Sequence, residues 1–194
     1  MKRLFLSVLI LSATTSFAQV SQTSDRATDR QQDLLGQGKL HVGVDVNGGY
    51  AGFTGLRGRV VPRLQYFLKD GWSVALEGRY EATGDFFHHF GAGLSTRYYF
   101  IRDRRLAVFG QAGATYGRSR YLRYYPGADL YNRDTWFEQK QNVFQVSAGL
   151  GVHYRIANRW SLEVIAERPL TNVGAFWDTG RWQGSVGVNF RLGR

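Results

Sequence analysis

Along eight stretches of this chain, apolar and polar residues alternate with a period of two. The last stretch is the clearest: Trp182, Gly184, Val186, Val188, Phe190 and Leu192 share one parity, and Gln183, Ser185, Gly187, Asn189 and Arg191 the other. A two-residue period sends successive side chains to opposite faces of a β-strand. The polar parity carries too much charge to be a core, while the apolar parity recurs in every stretch. A sheet with two such faces closes as a barrel turned inside out, apolar toward lipid and polar toward its lumen.

The alternation predicts strands over 39–47, 57–68, 72–82, 89–100, 106–118, 142–156, 160–170 and 182–192. Each has at least the roughly 9–11 residues that cross a bilayer when tilted. The intervening segments alternate long and short, with 69–71, 101–105 and 157–159 falling on the side of both termini. Short periplasmic turns opposite longer extracellular loops are the pattern of an outer-membrane barrel with an even strand number. With strand one running outward, Tyr66, Trp72, Tyr98, Phe100, Tyr154, Trp160 and Phe190 collect at the periplasmic rim. Tyr80, Phe90, Tyr116, Phe144 and Trp182 collect at the outer rim, so one topology yields two aromatic girdles. Two prolines interrupt the pattern: Pro62 predicts a bulge or local break in strand two, and Arg168-Pro169 predicts an early end to strand seven.

Upstream of the strands, Met1-Lys2-Arg3, the apolar run Leu4 to Leu11 and Ser16-Phe17-Ala18 have the order of a secretory signal peptide cleaved after Ala18. Residues 19–38 are mostly polar, with Leu34-Leu35 as the only apolar pair, and are expected as a flexible periplasmic lead-in, leaving 39–194 as the barrel. With no cysteine, a disulfide framework is excluded and so is a lipid anchor on cysteine. The formal charge of +10 is carried mainly by arginine. For an exported chain it points to acidic lipid headgroups, with no nucleic acid as partner.

Taken together, the mature chain resembles the small eight-stranded outer-membrane barrels of the OmpA/OmpX type. Val186-Gly187-Val188-Asn189-Phe190-Arg191-Leu192 is similar to the final-strand signal read by barrel-assembly machinery, although four residues follow Phe190. The resemblance implies an all-β fold, an eight-stranded antiparallel transmembrane β-barrel in the bacterial outer membrane. Its implied partners are outer-membrane lipid, lipopolysaccharide and the assembly machinery. Because the chain stops at strand eight, no wall-binding domain is expected after it.

An eight-stranded barrel is just wide enough to be filled by side chains. The inward parity places Arg59, Arg63, Glu77, Arg79, Glu81, Arg97, His153, Arg155, Glu163, Glu167 and Arg191 in the lumen, with Lys39 and Asp45 on the same face. Paired charges there predict a plug, since an unpaired buried ion costs several kcal/mol. Counting up from the short turns puts Glu77 near the depth of Arg63 and Glu163 near that of His153. The third outer loop, expected over 119–141, interleaves arginine with aromatics: Arg118, Arg120, Tyr121, Arg123, Tyr124, Tyr125 and Trp136, to which Phe176 and Trp177 of the fourth loop could join. Such a surface suits phosphate, glycan or protein contacts.

No Ser–His pairing occurs on any strand, and the adjacent His88 and His89 point to opposite faces. No catalytic residue, metal site or cofactor is therefore expected. His41 and His153 are read as hydrogen-bonded filler low in the lumen. The function expected is a structural or surface-interaction role. The alternatives are a narrow small-solute pore and a soluble periplasmic barrel binding an apolar ligand, the last requiring the apolar faces to point inward.

Overall fold

The computed structural model describes residues 34–50, 56–124, 136–173 and 182–193. The signal peptide, most of the lead-in, Tyr125, Phe176 and Trp177 lie outside the described residues. Eight strands follow in chain order: β1 (Leu40–Tyr50), β2 (Leu56–Lys69), β3 (Trp72–Thr83), β4 (Phe87–Arg102), β5 (Leu106–Tyr124), β6 (Trp136–Arg155), β7 (Trp160–Val173) and β8 (Gln183–Leu192). Each pairs antiparallel with its sequence neighbours, and β8 closes on β1 through Leu40↔Leu192 to Val46↔Val186. Closure removes the sheet edges along the span where all eight strands pair and so satisfies the backbone polar groups there.

Parity decides which side chains face in. Val42, Val44, Leu64, Leu76, Leu94, Leu150, Val164 and Val186 are exposed on the outer wall, whereas Asp45, Arg63, Glu77, Arg97, Glu163 and Asn189 are buried inside. This is the inverse of a soluble protein. It is also the opposite of the inward apolar lining that a soluble ligand-binding barrel requires. Aromatics stand exposed at both ends of the apolar band, among them Trp72 and Tyr98 at one and Tyr80, Phe90 and Tyr116 at the other. Within these rows the ladders pair Trp72 with Tyr98 and Tyr80 with Phe90. Trp160 and Phe190 pack with ring centroids 4.7 Å apart.

Several strands differ in extent from their sequence reading. β5 and β6 stay paired out to Tyr124↔Trp136, so much of what was expected as a third outer loop is a two-stranded extension of the wall. The second outer connection, expected over 83–88, is a turn over 84–86 with Gly84 in the left-handed region (φ 50°). β7 does not stop at Arg168-Pro169. Pro169 pairs with Ser147, a register shift accommodates the extra residue, and the strand continues to Val173. Bulging lets proline, which has no N–H to give the ladder, remain inside a strand. At Pro62 the β2–β3 ladder skips Val61 and Pro62 and resumes at Arg63↔Glu77 in the same register, so the interruption is local and not a bulge. The bulge of β2 lies instead between Phe67 and Lys69, beside the Asp70–Gly71 turn.

Residues 34–38, expected to belong to a flexible lead-in, are folded into the barrel mouth. Leu34 and Leu35 form a helical turn with each side chain 1% exposed, inside the cluster of Phe67, Tyr99, Ala107, Phe109 and Ile165. An isolated Leu-Leu pair shows no period by which sequence alone would assign it a face.

A layered candidate site in the lumen

The lumen is filled in layers from the end that carries the turns at 70–71, 103–105 and 156–159. The lowest layer is aromatic. His41 stacks near Phe67 (centroids 5.1 Å), Phe67 near Tyr99 (5.8 Å) and Tyr99 near Phe109 (5.0 Å), with His153 edge-on to Tyr99. His41 Nε2 donates to the Leu34 carbonyl at 2.9 Å, a bond that fixes the proton on that nitrogen. Gln65 donates to Ser73 Oγ at 2.7 Å and to the Tyr99 hydroxyl at 3.3 Å. Gly151 makes room for this layer, since a Cβ there would strike three ring atoms of Phe109.

Above the rings lies a bundle of charges centred on Glu163 of β7. Arg97 of β4 donates through Nη1 to both of its carboxylate oxygens, at 2.9 and 3.1 Å. Arg63 of β2 donates to Glu163, to Asp45 Oδ2 at 2.6 Å and to Asn189 Oδ1 at 2.9 Å. Asn189 Nδ2 completes the set by donating to Glu163 Oε2 at 2.8 Å. The four charged side chains span β1, β2, β4 and β7, so the bundle crosses the lumen rather than running along one wall. The guanidinium of Arg97 also lies 4.7 Å over the Phe109 ring, linking this layer to the aromatic one below. Glycines create the space: a Cβ at Gly43 would meet the Asn189 amide, and one at Gly187 would meet Asp45.

The next layer is a second ion pair, Arg79 with Glu167 at 3.0 Å, extended by Gln145 and by Gln111 at 3.4 Å. Arg59 donates to Gln183 at 2.7 Å. At the far mouth, Arg57 and Glu81 pair at 2.6 Å in partial contact with water, and buried His89 bonds Ser119 at 2.9 Å.

All eleven lumen residues named from the sequence occupy the inner face, buried or half-buried. Glu77 is the ladder partner of Arg63, and Glu163 that of His153. Glu77, however, accepts from Ser95 Oγ, while Arg63 reaches past it to Asp45 and Glu163. His153 is not hydrogen-bonded filler: it is 1% exposed, and its Nδ1 stands 4.0 Å from Glu163 with neither ring nitrogen bonded. Arg155 is half-buried beside the short turns, and Arg191 is buried as the ladder partner of His41. Asp45 and Asn189 belong to the central bundle, although their strands on their own give only the face they occupy.

The predicted contact surface divides. Arg118 and Arg120 point outward and are exposed, and Arg120 shares Glu138 with Lys140 (3.4 and 2.7 Å). Tyr121 turns inward and is 6% exposed, so it is not part of an outer surface, because its parity is that of Ser119 in the lumen. Arg123, Tyr124 and Trp136 lie on the extended strands, with their side chains outside the described residues. His88 faces out beside Tyr80, at 3.3 Å, away from His89. Among the described residues, no group of three His, Cys, Asp or Glu side chains could hold a metal ion.

No protein-family model matches the sequence, and neither does any curated protein. Solved structures do match the fold. The N-terminal β-barrel domain of OprF from Pseudomonas aeruginosa aligns with a TM-score of 0.53 at 16% identity, over 81% of this chain and 99% of that one. A major outer membrane protein from Thermus thermophilus aligns with a TM-score of 0.54 at 12% identity, over 79% of this chain and 98% of that one. The closed antiparallel eight-strand barrel described above has the fold of small outer-membrane β-barrels.

Proposed function

We propose that this protein is an exported barrel of the bacterial outer membrane with a structural or surface-interaction role, its lumen closed by the Arg/Glu network. The observation that carries this reading is the inversion of the wall. Leucine, valine and aromatic side chains are exposed around the outside, while Arg63, Arg97, Asp45 and Glu163 are sealed within. No helix among the described residues is long and apolar enough to span a bilayer, so in this reading the strands do the crossing. Apolar side chains exposed around a whole barrel are stable only against another apolar phase.

In this reading the signal peptide is cleaved after Ala18, and the assembly machinery reads the β8 end of the chain. The exposed Arg118, Arg120 and Lys140 stand just beyond the Tyr116 and Phe144 girdle. At that height cations meet the phosphates of lipopolysaccharide, which favours seating the barrel over binding a separate ligand. The role proposed is non-enzymatic: the one His–Ser pair among the described hydrogen bonds, His89 with Ser119 across β4 and β5, is buried inside the lumen and not on the lipid-facing wall.

Membranes from cells expressing the protein, washed with urea, test the placement. A spanning barrel stays in the pellet and shifts mobility on heating in a gel, whereas recovery in the wash would overturn the reading. Steady ion conductance by the purified barrel would replace the closed-lumen role with a pore.

A further inference from the structure

The Leu34–Leu35 turn is held in the barrel mouth by more than its side chains. Gly71 N–H donates to the Leu35 carbonyl and Gly38 N–H to the Phe67 carbonyl, both at 2.9 Å, and Phe67 N–H donates to the Lys39 carbonyl at 3.0 Å. His41 Nε2 bonds the Leu34 carbonyl at 2.9 Å, and Gln37 N–H bonds the Asp70 carboxylate at 2.8 Å. Gly38 adopts φ +78°, the left-handed conformation that lets the chain leave the mouth and turn into β1. In sequence the pair is flanked by Gln31-Gln32-Asp33 and Gly36-Gln37-Gly38-Lys39, so it is an apolar island in a polar segment.

Neither lipid nor strand pairing accounts for burying these two leucines. Their surroundings are a socket floored by Phe67, Tyr99 and Phe109 and lined by Ala107, within a buried apolar cluster that extends to Ile165. Stacking of Arg97 on Phe109 places the charge bundle on the far side of that floor.

We propose that the Leu34–Leu35 turn is a plug the chain supplies to itself, seated in an apolar lumen site built for branched aliphatic side chains. It closes the end bearing the short turns independently of the Arg/Glu bundle above it. The site is complementary in shape and polarity to two leucines carried on one turn. Its neighbouring backbone and His41 recognise the main chain of that turn.

Because the chain contains no cysteine, an introduced thiol is the only one present. In the folded full-length mature barrel, with folding checked by the heat-dependent gel shift, L35C is expected to react with a water-soluble maleimide at least about tenfold more slowly than Q37C, since only local opening exposes it. Equal rates would overturn the proposal. A107C reports from inside the socket. It is expected to be protected when Leu34 and Leu35 are native and labelled when both are changed to aspartate. Changing both to alanine shifts the rate in the same direction should the aspartate pair prevent folding. Protection of A107C whatever stands at 34 and 35 would show a floor closed without the plug, and would also overturn the proposal. Neither rate depends on conductance or on residence in a membrane, so this inference and the function proposed above fail separately.

Discussion

Arg97 and Glu163 face each other from β4 and β7, strands that do not pair, with guanidinium nitrogen and carboxylate oxygen 2.9 Å apart and both side chains 0% exposed. Glu163 also receives Arg63 and Asn189, so this one carboxylate bonds both buried cations, with Asp45 as the second carboxylate on Arg63. Removing one member of a buried pair strands its partner, at about 3–5 kcal/mol. Glu163→Gln is therefore expected to destabilise the folded barrel by about that amount, measured by urea unfolding in detergent or lipid. Glu77→Gln, which alters a carboxylate bonded by the neutral Ser95, is expected to cost less. Equal effects at the two positions would count against Glu163 as the centre of the network.

Much of this was legible in the chain and some was not. The two-residue period assigns a face to each residue of β8, and counting from the turns puts Glu163 beside His153, as the ladder has it. Parity cannot say how far an arginine reaches. Arg63 passes its ladder partner Glu77 to bond residues of β1, β7 and β8, a choice made by side-chain conformation across a narrow lumen. The extension of β5 and β6 was hidden because beyond Tyr116 the outer face changes from apolar residues to Arg118 and Arg120 while the ladder continues. Alternation persists there, with Ser119 and Tyr121 buried, but it no longer separates apolar from polar. Leu34-Leu35 offered only composition, although inward-facing Phe67, Tyr99 and Phe109 near the same end signalled an apolar floor in need of a cover.

Gly151 permits the close seating of Phe109, whose ring also packs near Tyr99 and beneath the Arg97 guanidinium. Gly151→Ala is expected to destabilise by about 1–3 kcal/mol, the usual range for overpacking an interior. On a Phe109→Leu background the same change should lose much of its effect, a coupling that a double-mutant cycle reads directly. Additive losses would mean that Gly151 is required for some other reason.

Leu150 stands exposed on β6 midway between the girdle residues Tyr154 and Phe144. In a bilayer, Leu150→Lys is expected to cost ~2–4 kcal/mol, because the charge lies near the midplane. Lysine in place of Arg118, beyond the girdle, should change stability little. The contrast is measured by unfolding in lipid vesicles, and an equal effect at both sites would contradict the assigned membrane position.

Closures in series conduct only when all are open: the Leu34–Leu35 turn on its aromatic floor, the Glu163 bundle and the Arg79–Glu167 pair. Arg63→Gln combined with Glu163→Gln is expected to leave the barrel silent in a planar bilayer while Leu34 and Leu35 remain seated. Adding Leu34→Asp, Leu35→Asp, Arg79→Gln and Glu167→Gln to that variant is expected to produce openings. Conductance from the charge variant alone would show that the turn at the mouth does not seal.

The closed lumen is tested most directly by single-channel recording of the refolded mature protein in a planar bilayer. The same preparation should first show a heat-dependent gel shift. A layered interior of stacked rings, the Glu163 bundle and the Arg79–Glu167 pair predicts a folded barrel that inserts and stays silent. Steady, reproducible single-channel openings from the native chain would contradict it.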